Sequence, residues 1–114
     1  SRLPDGPEKD QAMEIATAAA VDVPREAAKL ALAVMGDLET LAKMCNQYLI
    51  SDLVAAAALC EAVSRLCDYN VRINAANVRD RGAAEQIRLG SATDLAAAVA
   101  CCKRIEESIR EVLP

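Results

Sequence analysis

The chain has 114 residues and a mass of 12.1 kDa, enough for one domain with a single core. Its 13 basic and 17 acidic residues give a net charge of -4 with no Lys/Arg block, so neither nucleic acid nor an anionic membrane is an expected partner. Histidine is absent, which removes Ser-His-Asp and Cys-His catalysis and most catalytic zinc sites; acid–base chemistry falls to Asp, Glu, Lys, Tyr or Cys.

Alanine, leucine and charged residues dominate, and no alternating Val/Ile/Thr pattern occurs, so the expected fold is all-α, an up-down bundle of about four helices. Pro4, Gly6 and Pro7 make residues 1–7 a lead-in to a first helix over residues 8 to about 21. Val23-Pro24 is expected to break or kink the chain, because the residue before proline is pushed out of the α region. A second helix then spans residues 25–44, with Ala27, Leu30, Ala31, Val34, Leu38, Leu41 and Ala42 as its buried stripe.

Residues 45–50 read as a polar connection, and Ser51 or Asp52 as the N-cap of a long central helix reaching about residue 77. Its interior is apolar nearly all round, which calls for walls on several sides. Three other helices supply two or three of these, so a second copy or further helices of the same protein must supply the rest. After a turn at 79–82, a fourth helix over 83–113 turns Ile87, Leu95, Val99, Cys102, Ile105, Ile109 and Val112 inward. Gly90-Ser91 is a candidate bend, and Lys103/Glu107 and Glu106/Arg110 suit an exposed face.

The five cysteines, Cys45, Cys60, Cys67, Cys101 and Cys102, include no CxxC pair and read as free core thiols. The longest apolar run, residues 53–60, is far short of the ~20 residues that a membrane span needs. The expectation is a soluble, cytoplasmic protein with no membrane contact.

Asn70, Asn74 and Asn77 share one helical face while Arg72 points elsewhere. Three amides on a stripe can hold a polar ligand, pair with another helix or sit in water. Asp52 lies 18 residues before Asn70 on the same side, on the order of 27 Å away, so one helix cannot bring both into one pocket. An antiparallel copy across a two-fold axis can. Taken alone, Asp52 is either a helix cap or an acid–base carboxylate.

Four motifs taken in order carry a resemblance: R-L-P-x-G-x-E-K at 2–9, V-D-V-P at 21–24, N-x-x-x-I-S-D at 46–52 and N-V-R-I-N at 70–74. Together they resemble the formimidoyltetrahydrofolate cyclodeaminase and methenyltetrahydrofolate cyclohydrolase family, which includes the C-terminal domain of formiminotransferase-cyclodeaminase. The resemblance implies a helical homodimer and a tetrahydrofolate derivative as substrate, with proton transfer and no metal. It implies Asp52 as the catalytic carboxylate, and Asn46, Ser51, Asn70, Arg72 and Asn74 as substrate contacts. Only the C-terminal half of the family pattern is present, without its glycine-rich P-G-G-G-S segment, so cyclodeaminase or cyclohydrolase activity is expected of a full-length parent, and this chain alone is expected to be an inactive part of it. Cys45, Tyr48, Asp5 and Lys29 depart from the pattern. The competing reading is a helical relative that self-associates without folate chemistry.

Overall fold

The computed structural model describes residues 3–44 and 49–110. Three helices run up, down and up: α1 (Pro7–Ala42), α2 (Ile50–Ala75) and α3 (Arg81–Ser108). Each packs against the other two, and no strand occurs among the described residues. The all-α expectation therefore holds, and the count of four helices does not.

The expected break at Val23-Pro24 is the source of the difference. Proline in a helix interior forfeits a backbone hydrogen bond and costs about 3 kcal/mol. Here α1 continues through Pro24. Val21 and Ala28 are buried on either side of it, and Arg25 pairs with Asp94 of α3 at 3.4 Å, so tertiary contacts hold the helix on both sides of the proline.

The remaining boundaries shift for similar reasons. Ser51 and Asp52 lie within the first turn of α2 rather than capping it, because Ile50 is buried and draws the helix start upstream; Leu53 N donates to Leu49 O at 3.0 Å. The α3 start is a capped one, with Asp80 accepting from Ala83 N at 3.0 Å. α3 runs unbroken through Gly90-Ser91. Val112, expected inward, lies outside the described residues.

One hydrophobic core gathers Met35 of α1, Ile50, Leu53 and Ala57 of α2, Ala98, Cys101, Cys102 and Ile105 of α3, and Ile109 just past its end. Towards the other end, the interior narrows to small residues, including Val71, Ala75 and Ala84. Between them lies a polar layer. Ser91 Oγ donates to Asp68 Oδ1 at 2.8 Å, and Arg72 Nε holds Asp68 Oδ2 at 3.0 Å. The Arg25 guanidinium rests against Gly90, where a Cβ would stand only 2.9 Å from its nitrogens.

The stripe expected to bury α1 is only partly buried. Val21, Ala28, Ala31 and Met35 form the buried line, whereas Leu30, at 68% exposure, Val34 and Leu41 lie beside it in the open. On α2 the same holds for Leu59 (68% exposed), Val63, Leu66 and Ile73. The molecule is a rod of 62 × 26 × 18 Å with a radius of gyration of 18.4 Å. A globular chain of this length would have about 13 Å. Three helices of this length do not wrap one another, and the face shared by α1 and α2 is left without a layer above it.

Candidate functional site

On that open face, α1 and α2 enclose two grooves, one towards each end of the rod. The first, about 600 Å³, is lined by Ala20, Val23 and Pro24 of α1 and by Cys67, Asn70 and Asn74 of α2. It brings together two motifs that lie far apart in sequence, V-D-V-P and N-V-R-I-N. Asn70 Nδ2 donates to Leu66 O at 3.1 Å and Asn74 Nδ2 to Asn70 O at 2.8 Å. Each amide thus spends one proton on its own helix, which fixes its orientation, and keeps a second N–H and its carbonyl oxygen for a ligand.

The second groove, about 370 Å³, is lined by Leu38, Leu41 and Met44 of α1 and by Asp52, Leu53 and Ala56 of α2. Asp52 is exposed, has no side-chain hydrogen bond or ion pair among the described residues, and lies in the first turn of α2, where the helix dipole favours a negative charge. Within one chain the grooves are separate, as the spacing along α2 requires.

Other expected residues are dispersed. Ser51 is exposed next to Asp52 but does not line its groove. Arg72 stacks over the Tyr69 ring at 4.9 Å while bound to Asp68, away from the asparagine groove. Asn77, expected on the asparagine stripe, lies beyond the end of α2 and lines a third cavity with Glu14, Asp22 and Arg79. There Arg79 is engaged by Asp10 at 3.1 Å and Glu14 at 3.6 Å, a set of charges that satisfy one another. Asn46, Cys45 and Tyr48 lie outside the described residues. Asp5 pairs with Lys9 at 2.9 Å, and Lys29 is exposed. What sequence reading missed is the contribution of Pro24 and Val23 to a groove wall. It could have been found only by treating V-D-V-P as helical.

The described cysteines are packed within the bundle. Cys60 is half-buried, and Cys67, Cys101 and Cys102 are buried and free. Burial pushes the Cys67 and Cys101 thiols up, and burial, together with Glu61 and Glu106 nearby, pushes Cys102 up to about 11. None of these three is a thiolate at neutral pH. Glu39 is held below the usual carboxylate range by its hydrogen bonds to Arg104, at 2.6 and 3.3 Å, and so fastens α1 to α3.

The family profile of formiminotransferase-cyclodeaminase matches residues 2–93, which include both grooves and all four sequence motifs. The chain belongs to that family. Formiminotransferase-cyclodeaminase belongs to folate one-carbon metabolism. No curated protein and no solved structure matches the chain significantly. Among the described residues of this formiminotransferase-cyclodeaminase relative, no helix is long and apolar enough to cross a membrane.

Proposed function

We propose that this chain supplies a reduced-folate site of cyclodeaminase or methenyltetrahydrofolate cyclohydrolase type, in a homodimer, using a tetrahydrofolate derivative and no metal. The observation that carries the reading is the groove in which Asn70 and Asn74 face Val23 and Pro24, within a family of folate one-carbon metabolism. A pterin edge alternates donors and acceptors, and two fixed amides with free N–H and C=O groups match that alternation. The apolar wall suits the flat face of the ring.

Asp52 is the group proposed to move a proton. In hydrolysis of the methenyl bridge, water oxygen bonds to the bridge carbon, its proton passes to a carboxylate, and a ring nitrogen leaves with the C–N electron pair. In cyclisation of a formimidoyl group carried on the ring nitrogen, the anilino nitrogen of the side chain bonds to the formimidoyl carbon, its proton and one that an acid supplies pass to the imino nitrogen, and ammonia leaves with the C–N electron pair. One carboxylate serves either role, as base in the first and as acid in the second. Asn46, Ser51 and Arg72 are further proposed contacts.

Calorimetric titration with methenyltetrahydrofolate tests the reading. Binding is expected in the wild type, with affinity at least about tenfold lower in Asn70→Ala/Asn74→Ala, the loss of two hydrogen bonds. Asp52→Asn should still bind while losing turnover. A folded protein that gives no heat sinks the folate reading and leaves the self-associating relative without folate chemistry, which the exposed apolar face of α1 and α2 favours.

A further inference from the structure

The walls of the asparagine groove come from α1 and α2, and no described residue of α3 lines it. Both walls are nevertheless tied to α3 from behind. Arg25 follows Val23 by two residues, about 200° round the helix, so its side chain leaves the far side of α1. There Arg25 Nη2 donates to Asp94 Oδ2 at 3.4 Å. Asp68 precedes Asn70 by two residues, so the same relation holds on α2, and its Oδ1 accepts from Ser91 Oγ at 2.8 Å. Residues 90–94 make little more than one turn of α3, and that turn holds the backs of both walls.

Gly90 is the telling residue in this turn. Its φ is not positive, so the backbone makes no demand for glycine, and inside a helix glycine is the least favourable residue after proline. The demand comes from Arg25. A Cβ on Gly90 would stand 2.9 Å from both terminal nitrogens of the guanidinium and 3.2 Å from its Cζ. Gly36, inside α1, is the contrast, since a Cβ there meets nothing within 4 Å. The guanidinium itself is poorly satisfied: its Nε is enclosed without a hydrogen-bond partner among the described residues, and the bond to Asp94 is long. Attraction alone therefore does not account for a side chain that is only 23% exposed.

We propose that Arg25 and Gly90, with Ser91 beside them, are positioning residues that set the gap between the Val23-Pro24 wall and the Asn70-Asn74 wall without touching a ligand. The rigid guanidinium plane, seated in the notch that Gly90 leaves, fixes how closely α1 approaches α3 at this level. Ser91 fixes α2 against the same turn through Asp68. With both helices referenced to one turn of α3, their separation at the groove follows. Two amides and an apolar wall grip a flat ring at one separation only, so the spacing is part of recognition. The folate reading enters only through what the groove binds.

Gly90→Ala tests the proposal with little threat to the fold. The added methyl meets the far end of a flexible, part-exposed side chain, which can swing outward, and alanine is the better helix former. The thermal midpoint should stay at or above that of the wild type. Cys67, which lines the groove and is only 8% exposed, is the reporter. Its alkylation by N-ethylmaleimide, followed by peptide mass spectrometry, should quicken about fivefold, the effect of losing one charged hydrogen bond on a local opening. Cys101 and Cys102, buried in the hydrophobic core, should keep their wild-type rates. Arg25→Ala should quicken Cys67 to the same degree, and Gly90→Ala should add nothing to it, because the glycine acts through the arginine. Gly36→Ala should leave all three rates unchanged.

An unchanged Cys67 rate in Gly90→Ala overturns the proposal. A rise shared by all three cysteines overturns it too, since that marks a residue that only stabilises the bundle. A full additional effect of Gly90→Ala in the Arg25→Ala background removes the link between the two residues. Calorimetry with methenyltetrahydrofolate on the same proteins keeps the two readings apart. Where the wild type binds, Gly90→Ala should bind about fivefold more weakly although Asn70 and Asn74 are intact. A quickened Cys67 with unchanged affinity supports the spacing role and sinks the groove as the folate site. A wild type that gives no heat sinks the folate reading, and the alkylation rates still decide the spacing.

Discussion

Ser91 and Asp68 meet across α2 and α3 at 2.8 Å, both nearly without solvent. A buried carboxylate persists only where its oxygens are engaged, and here Ser91 takes one and Arg72 the other. Ser91→Ala strands Asp68 Oδ1, and urea unfolding should show a loss of about 1–3 kcal/mol. Asp68→Asn/Ser91→Ala should recover part of it, since an amide is less costly to bury than a charge. Cys102 gives a second residue-scale effect. Its thiol titrates near 9 when unfolded and at about 11 when folded. Above pH 9 the unfolded chain sheds this proton first, so the contribution is complete below 9 and lost by 11. Its size is on the order of 2 kcal/mol. Urea midpoints measured at about pH 8 and about pH 10.5 should fall less in Cys102→Ala than in the wild type.

Among the elements, α1 carries the largest internal conflict. Pro24 lies in its interior yet the helix runs unbroken for 36 residues, held by burial of Val21 and Ala28 and by the Arg25–Asp94 pair. Pro24→Ala restores an N–H for Ala20 O and removes the ring clash. Against a cost of about 3 kcal/mol for proline in a helix stands about 0.4–1 kcal/mol of unfolded-state entropy that proline removes, so the variant should be more stable by about 2 kcal/mol in thermal unfolding. No gain would mean that α1 bends at that point to suit the groove it lines. The other conflict is between stripes. The larger side chains of α1, Leu30 and Leu41, lie off the bundle, while Ala28 and Ala31 lie in it, because alanine lets the three helices approach closely.

For the whole molecule, the shape is the informative quantity. A radius of gyration of 18.4 Å in a chain of 114 residues means a large surface relative to the core, much of it apolar on one side. A soluble monomer seldom keeps so continuous an apolar face uncovered. If a second copy covers it, folding and association are linked, and stability depends on chain concentration. Raising the concentration a hundredfold should raise the unfolding free energy by about 2.7 kcal/mol and shift the thermal midpoint upward. A midpoint that does not move with concentration would mean that no such linkage operates.

Composition and periodicity by themselves determined the helical class and the excess of apolar surface on the helix that begins at Ile50, which in the structure is the shortest of the three and not a covered central one. The reason is local: the rhythm of apolar residues on a helix is written in the order of the chain. The asparagine pair was also legible, since positions four apart share a face in any helix. Tertiary structure alone decided that Pro24 lies inside a helix, because contacts with α2 and α3 outweigh a local preference. It alone decided which of two adjacent apolar stripes on α1 is buried, since periodicity shows that a stripe exists and packing chooses between Ala31 and Leu30. And it alone brought Val23 and Pro24 to Asn70 and Asn74, because antiparallel pairing of α1 and α2 joins positions that no spacing rule connects.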